Sequence, residues 1–137
     1  MNPKNSFAPA IEKKQEMTFS SQINSPAMKA MIAKALGSPA AAARLTSTLI
    51  SAVAGSAQLQ QCEASTIVAA ALRGEGMGLI YGHGYYVVPY GTVATYIMGY
   101  KGYIQLAMST GFYADIDCIE IREGELEERD RRTGKPI

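Results

Sequence analysis

Residues 81–113 read YGHGYYVVPYGTVATYIMGYKGYIQLAMSTGFY, and the architecture turns on them. All eight tyrosines of the chain fall inside this stretch, interleaved with Gly82, Gly84, Gly91, Gly99, Gly102 and Gly111 and a single cation, Lys101. Residues 79–81, 85–89 and 92–98 have strand composition, with Gly82-His83-Gly84 and Tyr90-Gly91 as turns, so a β-hairpin or meander is expected. Strand periodicity places Thr92, Ala94, Tyr96 and Met98 on one side and Val93, Thr95 and Ile97 on the other. Pro89 cannot donate to a ladder, which assigns its strand end to an edge or a bulge. Densely packed tyrosine, glycine that lets the backbone approach a partner, and one fixed positive charge make up a stacking platform for a planar anionic ligand. A tyrosine-rich sheet core has the same composition.

Gly99 releases the chain into a short helix over about 101–110, closed by Gly111. Its expected buried side is Ile104, Ala107 and Met108, while Lys101, Gln105 and Ser109 form one polar line on another face. The strand pattern returns over 112–121, is expected to continue in extended form after Gly124 over 126–131, and ends in a turn at Thr133-Gly134. Only Pro136 and Ile137 follow that turn, leaving its second strand absent, so the chain is expected to be a fragment of a longer domain.

Toward the N-terminus, Ser25-Pro26 and Ser38-Pro39 each combine a capping hydroxyl with proline at the first helical position. The first helix runs through Met28, Met31, Ile32 and Leu36 to Gly37. The second carries Leu45, Leu49, Ala52 and Val53 on one face and ends at Gly55. After a polar link over 56–61, a third helix over 64–73 turns Ile67, Val68, Ala71 and Leu72 inward, with Glu63 complementing its dipole. The GEGMG of residues 74–78 is expected to break that helix. It is not a dinucleotide loop, because the order is helix, glycines, strand, and no GxxxxGK[ST] occurs.

At 137 residues the chain is one domain's worth and buries roughly two-thirds of its unfolded surface. The 47% hydrophobic and 18% charged balance is globular, with no apolar run long enough to span a membrane. Residues 1–25 lack the apolar core of a signal peptide and read as a flexible arm, leaving 26–137 as the folded part, of α+β class. Cys62 and Cys118 with the lone His83 exclude a zinc knuckle or disulfide scaffold, and fit a reduced cytoplasm. Residues 1–113 hold eight Lys/Arg against four Asp/Glu and residues 114–137 five against eight, so a polyanion meets the first part.

The runs QLQQCEASTIVAAALRGEGMGL (58–79), YYVVPYG (85–91) and MGYKGYIQLAMSTGFYADI (98–116) together resemble the RecT family of phage and prophage single-strand DNA annealing proteins. The resemblance covers roughly 45–125, with helix, hairpin, GYKG and following helix in order. It implies an ATP-independent recombinase, related to phage Redβ, that coats single-stranded DNA as a ring or helical filament in a positively charged groove and pairs it with a complementary strand. It also implies an α+β annealing core with further antiparallel strands, incomplete here at the C-terminus, and partners such as a phage exonuclease and host single-strand binding protein. Two departures stand out. Ser109-Thr110-Gly111 replaces the family's common Arg-Ser-Gly, removing a cation from the end of the Lys101 line, and the Gly82-His83-Gly84 loop is shorter than in many members.

The candidate DNA contacts centre on Lys101, which Gly99 and Gly102 leave free to reach a phosphate. An exposed lysine at a helix start is disfavoured by the dipole, which argues for a ligand. Gln105, one turn on, can donate to phosphate or base. Tyr100, Tyr103, Tyr96 and Tyr90 are candidates for stacking, worth about 1–3 kcal/mol per base, but not all can serve because the sheet also needs a core. Arg73 lies on the helix beside the platform, as does Arg44; surface solvation accounts for either. His83 reads as a tolerant loop residue, and Lys13, Lys14, Lys29 and Lys34 as a solvated arm and helix face or a diffuse attraction for a second strand. No catalytic set and no metal site are expected; magnesium would assist pairing by screening phosphates without a dedicated protein site. Two other classes stay open: a tyrosine-rich interaction module assembling through sheet edges, and a nucleotide-processing enzyme using Glu75, His83 and the glycines.

Overall fold

Hydroxyl side chains start the first helices. In the computed structural model, which describes residues 17–118, 120, 122–124, 130 and 132–135, Ser25 accepts the Met28 amide at 3.4 Å and opens α2 (Pro26–Leu36). Ser38 accepts the Ala41 amide at 3.3 Å and opens α3 (Pro39–Ala54). Both prolines stand where their missing N–H costs no helical bond. Gly37, at φ 64, turns α2 into α3, the left-handed conformation that glycine adopts without steric cost. The two Ser-Pro starts are as the sequence predicts.

The same chemistry acts where the sequence suggested none. Thr18 caps α1 (Phe19–Ile23), whose Ile23 is fully buried, so the expected arm over 1–25 gives way to structure before Ser25; residues 1–16 lie outside the described residues. Ser56 accepts the Leu59 amide at 3.3 Å and opens α4 (Ala57–Gln60). The expected polar link is therefore a helical turn that buries Leu59.

The third long helix, α5 (Ala64–Gly76), runs past the expected break at Gly74. Gly74 is buried, and a Cβ built on it would clash with the Tyr85 ring. This glycine serves packing: it lets an aromatic ring lie against the helix backbone. Ile67, Val68, Ala70 and Ala71 meet Ile23, Ile32, Leu45, Leu49 and Val53 in the core.

Across α5 lies an antiparallel hairpin of β1 (Tyr85–Tyr90) and β2 (Val93–Met98), in register from Tyr85↔Met98 to Tyr90↔Val93. The turn is Gly91-Thr92, one residue beyond the expected Tyr90-Gly91, with Gly91 at φ 62, the hand a two-residue hairpin turn needs first. On β2, Ala94 is buried and Tyr96 and Met98 half-buried, while Val93, Thr95 and Ile97 face out, the alternation read from the sequence. The expected strand over 79–81 reduces to a single bridge between Tyr81 and Tyr85.

Both hairpin edges carry other bonds. The Ala94 amide donates outward to Thr66 Oγ1 at 3.0 Å, and the Glu63 amide donates to the Thr92 carbonyl at 2.9 Å, so the start of α5 occupies the β2 edge. On β1 the Gly82 amide donates to the Tyr85 carbonyl at 2.8 Å, and Pro89 supplies no donor.

The last helix is α6 (Tyr100–Ser109). Of its expected buried side, Ile104 and Ala107 are half-buried and Met108 is exposed; Gly102 is buried, and Leu106, one turn on, packs against the core. The expected strand over 112–121 is not formed at 112–118, where Phe112 is 90% exposed; Ile119 and Ile121 lie outside the described residues. Most of the extended segment over 126–131 also lies outside them. The turn at Thr133-Gly134 is present, with the Gly134 amide donating to the Asp130 carbonyl at 2.7 Å. The fold is α+β: helices, a two-stranded antiparallel sheet, then a helix.

Two glycines at the end of α5 provide a test. Gly74→Ala forces a methyl into the Tyr85 ring and should destabilise by about 1–3 kcal/mol, the range for overpacked cores. Gly76→Ala, where nothing lies within 4 Å, should be neutral or stabilise by up to about 1 kcal/mol. Urea midpoints of the two variants check this, and an equal midpoint for both would contradict the packing described.

Candidate nucleic-acid interface

The start of α6 is built by glycine contacts. The Gly99 amide donates to the Gly84 carbonyl at 3.0 Å, and the Gly99 carbonyl accepts the amides of Gly102 (2.9 Å) and Tyr103 (3.2 Å). A Cβ built on Gly102 would fall on the Gly84 carbonyl oxygen, so the first turn of α6 sits directly on the loop that precedes β1. Gly102 is therefore buried, and its lack of a side chain serves this seating. Its expected role as open space around Lys101 is replaced by an internal one.

Seated in this way, α6 holds Tyr100, Lys101 and Tyr103 on the surface; Tyr100 is 71% exposed and Tyr103 63%. Lys101 Nζ lies 6.0 Å from the Tyr100 ring centroid, at the outer limit of a cation–π contact. One turn later, Gln105 Nε2 donates to the Gly78 carbonyl at 3.0 Å and ties α6 to the end of α5. Beside Gly78, Met77 Sδ accepts the Tyr96 hydroxyl at 3.5 Å, and Arg73 Cζ stands 5.1 Å above the Tyr96 ring. The Gln105 bond to Gly78 and the Tyr96 contacts with Met77 and Arg73 thus tie α6, which carries Lys101, to the end of α5, which carries Arg73.

The other sequence candidates fall differently. Tyr96 stacks on Tyr85 at 5.6 Å and 29°, so one of its faces is used within the fold. Tyr90 is 61% exposed but sits at the hairpin turn. That is the far end of β1, about 17 Å of strand from the α6 start. Ser109, the end of the expected polar line, donates its hydroxyl to the Leu106 carbonyl at 2.7 Å. His83 is exposed in its loop.

Sequence reasoning missed the role of Glu75. Its carboxylate accepts the Tyr85 hydroxyl at 3.2 Å and meets Arg44 Nη2 at 3.6 Å, joining α3, α5 and β1. No spacing rule could have found it, because the three residues lie on separate elements. Burial first, and then the Glu75 charge and hydrogen bond, push the Tyr85 phenol well above its ordinary value; burial alone raises Tyr81. Arg44 offsets the Glu75 charge, which leaves Arg73 and Lys101 without an acidic partner among the described residues.

A hollow of about 800 Å³ between α1, α3 and α4, lined by Met17, Phe19, Ile50, Val53, Gln60 and Cys62 among others, has no charged residue among the described residues that line it. It carries less chemistry than the open surface at α6. Among the described residues no group of three or more His, Cys, Asp or Glu could hold a metal ion, and no helix is long and apolar enough to cross a membrane.

An α+β scaffold with a glycine-seated helix start that displays a cation and tyrosines is the type of protein that fold and surface define. Residues 40–137 match the RecT family, and the chain belongs to that family. It is 34% identical over 116 residues to the uncharacterized protein YqaK of Bacillus subtilis (strain 168). That match takes in 82% of this chain and 40% of the relative, so the chain spans well under half the length of the curated protein it matches.

The buried Tyr85 phenol yields a pH prediction. Its folded pKa is raised above the unfolded value of 10.0, so its contribution is complete below about pH 10 and declines as pH rises further. Thermal melts should show stability falling above that pH. Tyr85→Phe should flatten part of the fall, Tyr81 retaining the rest, and should cost about 0.5–1.5 kcal/mol at neutral pH through the lost Glu75 bond. An identical alkaline decline in the variant would contradict the assignment.

Proposed function

We propose that this chain binds single-stranded DNA through the α6 start and belongs to a protein that anneals complementary strands without ATP in phage homologous recombination. The supporting observation is that the helix displaying Lys101 is tied through Gln105 to the end of α5, where Arg73 stands over Tyr96. In this reading Lys101 and Arg73 take phosphates, and Gln105 fixes the angle at which α6 presents Lys101. Tyr100 and Tyr103 offer exposed rings to bases. Phosphate-side attachment leaves base edges open to pair with an incoming strand.

Annealing makes and breaks no covalent bond, so the reading calls for no catalytic residue and no resident cofactor; magnesium screens phosphates. A single α6 start grips few nucleotides, which is why the working form is a homo-oligomer, ring or filament, in the bacterial host cytoplasm. A phage exonuclease that exposes single strands and the host single-strand binding protein are the fitting partners.

Fluorescence anisotropy of a labelled oligonucleotide across a salt series tests this. Log affinity should fall with log salt at about −0.7 per phosphate contact. Lys101→Ala should weaken binding, make the slope shallower by about 0.7 and slow annealing while leaving the circular dichroism spectrum unchanged. Parental affinity in that variant would remove Lys101 from the site. No binding by the parent chain at low salt would favour an interaction module instead.

A further inference from the structure

Tyr86 shares the α6 surface although it belongs to β1. It alternates out of the sheet between buried Tyr85 and Val87, is 43% exposed, and pairs across the hairpin with Ile97. A Cβ built on Gly99 would come within 2.9 Å of Tyr86 Cε2. Gly99 has φ −80 and ψ 162, a conformation open to any residue, so glycine there serves space, not backbone geometry. The Tyr86 ring therefore lies along the chain just before Tyr100 and Lys101.

Beyond its packing on Gly99, the Tyr86 ring makes no ring–ring contact or side-chain hydrogen bond among the described residues. Among the described residues the ring–ring contacts involve Tyr81, Tyr85 and Tyr96, and the Tyr86 hydroxyl has no hydrogen-bond partner. The hairpin face on which it lies carries Val88, Tyr90, Val93, Thr95 and Ile97 and no charge. An uncharged face bearing a half-exposed ring that packs on Gly99, two residues before an exposed lysine, matches a nucleotide unit: planar base on one side, phosphate on the other.

We infer that Tyr86 is a base-stacking residue for single-stranded nucleic acid, acting beside Tyr100 with the adjoining phosphate held by Lys101. The inference rests on the DNA-binding reading of the α6 start. A stacking residue and a phosphate ligand differ in salt response, because stacking releases no counterions.

Three variants of the full chain, titrated with oligothymidylate, test it. Tyr86→Ala should weaken binding about tenfold, within the range for one stacked base, with the salt slope unchanged. Tyr86→Phe should retain near-parental affinity, because the ring is kept. The chain has no tryptophan, so Tyr86→Trp introduces a single reporter whose emission should be quenched by bound bases. Parental affinity in Tyr86→Ala, or unaltered emission in a Tyr86→Trp protein shown by anisotropy to be saturated, overturns the inference while the DNA reading stands. Failure of the parent chain to bind overturns both. A shallower salt slope in Tyr86→Ala would show an electrostatic role and overturn the stacking assignment.

Discussion

The ring of Tyr85 lies against the bare backbone of Gly74, and much of the molecule is positioned through that contact. It sets how closely the hairpin approaches α5, and the Tyr85 hydroxyl reaches Glu75 on the same helix while Glu75 reaches Arg44 on α3. Tyr96 stacks on Tyr85 and holds Arg73 above it. A single buried aromatic thus connects the core to one of the two cations of the proposed site. Because packed interiors are close to crystal density, a shift of that ring propagates along the whole series.

A second glycine contact repeats the device at the open end of the hairpin. Gly102 on Gly84 seats α6, and the Gln105 bond to Gly78 fixes its rotation. The surface chemistry of GYKG therefore depends on internal chemistry at the same four residues: glycines inward, tyrosine and lysine outward. The alternation is helical geometry acting on a motif whose small residues must be buried.

How far this was legible follows from the range of each interaction. Ser25-Pro26, Ser38-Pro39, the alternation of β2 and the Lys101–Gln105 spacing are local, and each appears in the structure. Gly74 looked like a helix breaker because its partner, Tyr85, lies on another element. Residues 112–118 have a strand pattern, but they pair with no strand, and the β2 edge is taken at Ala94 by Thr66. At the site, composition grouped Tyr90 with Lys101, whereas a hairpin keeps its turn and its open end a strand length apart. The approach of Arg73 to Tyr96 depends on the register of α5 against β2, which no linear spacing encodes.

The occupied hairpin edges have a consequence for what this surface can recognise. Strand addition works through main-chain groups and tolerates almost any side chain in the added segment. Here the main chain is engaged at Ala94 and Tyr85 and lacks a donor at Pro89, while α5 covers the inner face. With part of each edge taken, recognition falls more on the outward side chains, where selectivity is heritable residue by residue. Sequence drift at those few positions can retune what the hairpin meets without disturbing the scaffold beneath.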